Sequence, residues 1–171
     1  MLALRAFESK KMTDALQHIQ AGSHPPSNLG VDDFVALEGP RLRLFEALIH
    51  LANGDSQSAA KAWRLAVQTV DQEIEGEGLF RAIALHKVGE TKKAEEWLRS
   101  FTSVNEQRKT DNAIELRTQA HYLAGIHAVF QGKTDLAREN FRQALEIDQS
   151  YLFARQALAW LDAGLFTSLR M

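Results

Sequence analysis

The sequence predicts an all-α chain built from consecutive helical hairpins, and three observations carry that expectation. All three prolines (Pro25, Pro26, Pro40) fall in one early stretch and none occurs from Arg41 onward, leaving most of the chain free of helix breakers. Gly54, Gly89 and Gly132 each follow an apolar-periodic stretch and precede a polar pair and another such stretch, as a left-handed helix C-terminus would. Period-two alternation of Val, Ile and Thr is never sustained, while Ala, Leu, Glu, Gln, Lys and Arg dominate.

On these signals helices are expected near 2–8, 12–21, 31–37, 41–53, 57–73, 78–88, 91–102, 112–131, 134–147 and 150–163. The first two flank the Lys10-Lys11 doublet. Gly22-Ser-His-Pro-Pro-Ser-Asn-Leu-Gly30 reads as a loop, with a short helix at 31–37 before Pro40. Next come two helices about Gly54 and two about Gly89, the latter pair ending at a polar connection, Val104-Asn-Glu-Gln-Arg-Lys-Thr-Asp111. The pair about Gly132 is the most regular. Ser150 offers an N-cap oxygen to the final helix, and Gly164 offers its end.

The hairpins repeat. Gly54-Asp-Ser-Gln-Ser-Ala59, Gly89-Glu-Thr-Lys-Lys-Ala94 and Gly132-Lys-Thr-Asp-Leu-Ala137 align without a gap. Trp63, Leu98 and Phe141 follow four residues after the alanines, and Ala66, Phe101 and Ala144 three after those. The alanines are expected where the second helix of each pair crosses the first closely, with the large residues one turn on. Lys10-Lys-Met-Thr-Asp-Ala15, followed by Ile19, is a fourth copy without the glycine. The alanines lie 44, 35 and 43 residues apart, so the surplus of the longer intervals is assigned to the two loop-like connections.

These residues resemble the tetratricopeptide repeat, which places small residues in its first helix, a glycine turn, and then alanine and an aromatic in its second. Ala120-His-Tyr-Leu-Ala124-Gly125-Ile-His-Ala-Val-Phe-Gln-Gly132, with Ala137, Phe141 and Ala144-Leu-Glu-Ile-Asp148, is the copy most similar to it. The chain departs from the family pattern at His121, Ala128 and Gln149, where the family has tryptophan, tyrosine and proline. The last two copies are also similar to the helical tail of large bacterial proteins of uncharacterised function, in which a β-rich body precedes such repeats. The resemblance implies a right-handed α-α superhelix of about four repeats plus a C-terminal capping helix, forming a single domain over 1–171. Only Met1 to Glu8 is available for the first helix of the first copy, so that repeat is expected to be truncated.

The 171 residues carry 20 Lys+Arg against 22 Asp+Glu, with 45% apolar residues and no cysteine. A net charge of −2 argues against a nucleic-acid partner, as does the scatter of the basic doublets Lys10-Lys11, Lys92-Lys93 and Arg108-Lys109. No apolar run is long enough for a membrane span, and the early charge in Met-Leu-Ala-Leu-Arg argues against a signal peptide, so the expected compartment is the cytoplasm. The acidic run Asp71-Gln-Glu-Ile-Glu-Gly-Glu77 reads as a solvated connection.

Nucleophile elbow, dinucleotide fingerprint, phosphate loop, zinc helix and calcium loop are all lacking from the sequence, so no catalytic, cofactor or metal residue is assigned and the chain is expected to be no enzyme. His121 and His127 fall about 120° apart on a helix, too far round to share a metal, whereas His50 and His86 occupy adjoining first-helix positions. The resemblance implies a concave groove lined by first helices. Its expected lining is Leu44, Leu48 and Leu51, then Leu79, Ile83, His86 and Lys87, then Tyr122, Ile126, Val129 and Phe130. It lacks the lysine and asparagine clamp of the family's chaperone-binding members, so acidic chaperone tails are not the expected ligand. The alternative is that the same side chains are core.

Three functions follow as expectations. The first is a non-catalytic protein–protein interaction module or scaffold that takes a protein or peptide in this groove. The second is a structural or oligomerising C-terminal tail of a larger protein, and the third is a regulatory domain of an enzyme. The final helix carries more apolar surface than a cap needs, in Tyr151, Leu152, Phe153, Leu158, Trp160 and Leu161, so Phe153 or Trp160, with Leu165 and Phe166, is expected to pack against either a second copy, giving a homodimer through that helix, or the returning N-terminal segment.

Overall fold

The computed structural model describes residues 5–7, 9–23, 39–68 and 77–162, with 164 and 166. The helix expected at 31–37, most of the proline-bearing loop, the end of the helix expected at 57–73, the acidic run at 71–76 and Leu165 lie outside the described residues. Every regular element described is a helix: α1 (Met12–Ser23), α2 (Pro40–Ala52), α3 (Ser56–Gln68), α4 (Glu77–Lys87), α5 (Thr91–Arg108), α6 (Ile114–Phe130), α7 (Thr134–Ile147) and α8 (Leu152–Asp162). The chain forms two compact units, Met1–Ala94 and Glu95–Met171, whose boundary falls inside α5.

One turn recurs four times. Lys10, Gly54, Gly89 and Gly132 all have positive φ, at 58°, 77°, 88° and 73°. In each copy the amide of that residue donates to the carbonyl three residues back, and the following amide donates to the carbonyl five before it. Lys10→Phe7 (2.9 Å) and Lys11→Ala6 (2.9 Å) match Gly54→Leu51 (3.0 Å) and Asp55→His50 (2.9 Å). Gly89→His86 (3.0 Å), Glu90→Leu85 (2.9 Å), Gly132→Val129 (2.9 Å) and Lys133→Ala128 (2.8 Å) complete the set. These pairs satisfy the last carbonyls of one helix with a single left-handed residue, which is the Schellman arrangement.

The next helix then starts in the same way in every copy. The amides of Ala15, Ala59, Ala94 and Ala137 donate to Lys11, Asp55, Glu90 and Lys133, and all four alanines are buried. Ile19, Trp63 and Phe141 are buried beneath them, and Leu98 is half-buried. The fourth copy therefore belongs to the series although Lys10 occupies the glycine position.

In the first unit α2 and α3 pack as a hairpin, α4 lies on both, and α1 lies on α2. Arg41 of α2 stacks over the Phe80 ring of α4 at 5.1 Å, and Leu44, Ala47, Leu48, Ile49, Ala62, Trp63, Phe80 and Ile83 belong to the core. In the second unit α6 and α7 form the hairpin and α8 packs on α7 and on α6. Gly125 of α6 has a specific purpose there: a β-carbon at this position would run into the ring of the fully buried Phe141 on α7.

Two expectations need correction. The polar stretch from Val104 does not form a connection, because α5 continues to Arg108. The segment has no glycine or proline, Glu106 pairs with Lys109 at 2.7 Å, and Asn105 is buried with its Nδ2 donating to the Ala120 carbonyl at 2.9 Å. Surplus residues between the Ala94 and Ala137 copies thus extend a helix. Ser150 does not cap α8; its hydroxyl and amide both donate to Asp148 Oδ1, at 2.6 and 2.8 Å, and hold that carboxyl below its ordinary range. At the other end Gly164 does turn the chain, with φ 71°, and Phe166 folds back onto Trp160 with ring centroids 5.7 Å apart.

Candidate functional site

Most of the expected groove residues are buried. Leu44, Leu48, Leu79, Ile83, Tyr122, Ile126, Val129 and Phe130 are all buried, with Ile83 and Phe130 at 0% exposure, and Leu51, His86 and Lys87 are half-buried. Buried side chains present no surface to a partner. His50 has an acidic neighbour, with Nδ1 3.6 Å from Asp55 Oδ2. No group of three or more His, Asp or Glu suited to a metal ion occurs among the described residues, and no helix among them is long and apolar enough to cross a membrane.

An accessible concavity lies inside the second unit, on a different face of α6 from the expected lining. A cleft of about 120 Å³ opens between α5, α6 and α7. From α5 come Phe101, Thr102, Asn105 and Glu106, with Lys109 just past the helix end; from α6 come Ala124, His127 and Ala128, with Gln131 at its C-cap; α7 gives Leu136 and Asn140. At 100° per residue, Ala124, His127 and Gln131 point about 160° away from the α6 positions expected to line the groove. Part of the cleft comes from the end of α5: Asn105, Glu106 and Lys109 all come from the stretch that reads as a connection in the sequence.

Its chemistry is a mixture of apolar walls and committed donors. Phe101 meets the His127 ring edge-on with centroids 5.8 Å apart, and Leu136 is 50% exposed at the rim. Gln131 Nε2 lies 3.0 Å from His127 Nε2, a geometry in which the amide donates to an unprotonated ring nitrogen. Burial first, and then Lys133 and Lys109, hold His127 below the ordinary imidazole range, consistent with that neutral ring. Burial and Lys109 do the same to His121, partly opposed by Asn140 and Gln143. Thr102 Oγ1 donates to the Leu98 carbonyl (2.7 Å), and Asn140 Nδ2 to that of Leu136 (2.8 Å). Asn105 differs from these: it is 3% exposed, its Nδ2 is engaged, and its Oδ1 is buried without a hydrogen-bond partner. An unpaired buried acceptor of this kind costs about 1–3 kcal/mol.

A second exposed patch sits on α8. Leu152 and Phe153 are 48% and 44% exposed, and Phe153 joins Tyr151 and Tyr122 in a cluster with centroids 5.7–5.9 Å apart. Trp160, expected with Phe153 as one of two alternatives for a contact to a second copy or to the N-terminal segment, is buried, with Phe166 of the same chain against it. No family model, curated protein or solved structure matches the chain.

Proposed function

We propose that the chain is a non-catalytic protein–protein interaction module of tetratricopeptide-like hairpins, acting in the cytoplasm and engaging its partner at the α5–α6–α7 cleft. The supporting observation is the cleft itself, which combines a half-exposed leucine with an aromatic wall and a buried polar group, the usual make-up of an interface anchor pocket. Eight of the eleven residues expected to line the family-type groove are buried, which favours the cleft on the other face of α6. Selection of displayed random peptides on the immobilised protein tests this reading. Enriched peptides should lose binding to the Leu136→Asp variant, which alters only an exposed rim position. Failure to enrich any sequence, or equal binding by the variant, contradicts the proposal.

Exposure of Leu152 and Phe153 beside Tyr151 favours a second reading, self-association through α8 as in an oligomerising tail. Solution mass across a dilution series separates the two. A monomer at high concentration removes the tail reading, and a dimer dispersed by Phe153→Glu supports it.

A further inference from the structure

The chain contains one Asn-Gly pair, Asn53-Gly54, and it forms the turn between α2 and α3. We propose that this pair is a site of spontaneous covalent modification, at which Asn53 is converted to aspartate and isoaspartate through a cyclic imide when the turn opens. The Gly54 nitrogen attacks Asn53 Cγ and gives its proton to solvent, forming a C–N bond that closes a five-membered ring. The bond from Cγ to the side-chain nitrogen breaks, and that nitrogen takes up a proton and leaves as ammonia. Water then adds to one of the two ring carbonyls. Addition at Cγ breaks its new bond to Gly54 and leaves aspartate; addition at the backbone carbonyl breaks the original peptide bond and leaves isoaspartate, with the backbone running through Cβ. Each conversion consumes one water and releases one ammonia.

Residue type and placement both select this pair. A side chain on the residue after an asparagine obstructs the attack, and the other asparagines precede Leu29, Glu106, Ala113 and Phe141. Of the other turn glycines, Gly89 follows Val88, and Gly132 follows Gln131, whose extra methylene would demand a slower six-membered closure. Asn53 and Gly54 are both exposed, and outside the chain neighbours nothing lies within 4 Å of where a β-carbon of Gly54 would stand, so the ring has room. The turn itself restrains the reaction. The Gly54 amide donates to the Leu51 carbonyl at 3.0 Å, and Asn53 has ψ 1°, which leaves the Gly54 nitrogen out of line with the Cα–Cβ bond over which the ring must close. Attack therefore waits for a local opening that breaks this bond and rotates ψ, an event frequent at exposed helix ends. The product then weakens the turn that slowed it. A carboxylate at position 53 stands at the C-terminus of α2, where the helix dipole disfavours negative charge, two residues from Asp55. Isoaspartate also lengthens the backbone between the helices by one carbon, which breaks the register of the Gly54 bond to Leu51 and the Asp55 bond to His50.

The test ages the full chain in mildly alkaline buffer over weeks, natively and in urea, and maps its peptides by mass spectrometry against a fresh sample. The tryptic peptide Leu44–Lys61 of the native chain should gain the mass difference between an amide and an acid, localised to Asn53 by fragmentation, with isoaspartate detected by enzymatic methylation. In urea the conversion should run at least about tenfold faster, because the turn no longer restrains it. Asn53→Gln should abolish the change at this position. In the isoaspartate fraction, separated by its added negative charge, the Gly54 and Asp55 amides should exchange at least about tenfold faster than in the fresh chain. A native chain unchanged at Asn53 once the urea sample has converted, equal rates in the two conditions, conversion spread evenly over the asparagines, or turn amides still protected in the isoaspartate fraction would overturn the inference.

Discussion

The hairpins α2–α3 and α6–α7 share one register yet solve the same packing problem differently. Seven residues before the turn glycine, α2 has Ala47 and α6 has Gly125; nine residues after it, α3 has Trp63 and α7 has Phe141. All four positions are buried. In the first hairpin a β-carbon is accommodated beside the large ring, whereas in the second the Phe141 ring occupies the place a β-carbon would take. A common repeat pattern therefore fixes where helices cross but not which small residue the crossing tolerates.

The largest expected effect breaks that comparison most directly. Gly→Ala within a helix ordinarily stabilises by about 1 kcal/mol through propensity. Gly125→Ala should instead destabilise by about 3 kcal/mol, because Phe141 is fully buried and has no room to yield. Ala47→Gly should cost only about 1 kcal/mol. Denaturant unfolding of the two variants measures both, and a stabilised Gly125→Ala protein would remove the close approach. Next, Ala59→Leu and Ala137→Leu should each cost about 2 kcal/mol by overpacking the crossing, and unchanged melting temperatures for both would remove the shared register.

A smaller effect concerns Lys10. A left-handed conformation costs a non-glycine residue about 1–2 kcal/mol, so Lys10→Gly should raise stability by about 1 kcal/mol, and Gly54→Ala should lower it by a similar amount. Thermal unfolding would show both shifts, and a destabilised Lys10→Gly would contradict the equivalence of the four turns.

The smallest effect is a pH dependence. His121 and His127 have folded-state pKa values below the ordinary 6.5, so the unfolded chain binds more protons, and their contribution to stability is present above that value and lost as pH falls below it. Asp55, depressed mainly by the Ser58 side chain and backbone, adds a separate loss as pH falls below the ordinary 3.8. His127→Gln should flatten the stability profile below neutral pH while leaving the acid limb unchanged, as read by urea midpoints over a pH series.

Much of the fold is legible in the sequence because its determinants are local. A glycine that needs positive φ, an alanine at a helix crossing and a ring one turn later leave fixed spacings, and these place the helices from Pro40 onward within a few residues of their observed ends, the C-terminal ends of α3 and α5 apart. The length of α5 was hidden because Asn105-Glu-Gln-Arg-Lys109 looks like a solvated connection; its helicity depends on Asn105 reaching Ala120, a contact fifteen residues away. The site was hidden for the same reason. Sequence pattern shows which first-helix residues are apolar, as with Ile83 and Ile126, but an apolar stripe reads alike whether it lines a groove or fills a core. The absence of glycine and proline between Phe101 and Ala113, together with the 43-residue interval to Ala137, was the available signal of a longer helix.

The account turns on that extension, since Asn105, Glu106 and Lys109 of the cleft come from it. Amide hydrogen exchange across residues 102–109 measures it most directly. The continuous helix predicts exchange at least about a hundredfold slower than an unstructured chain for Asn105 through Arg108, comparable with the amides of α7. Exchange at coil rates beyond Ser103, with α7 still protected, would contradict the account.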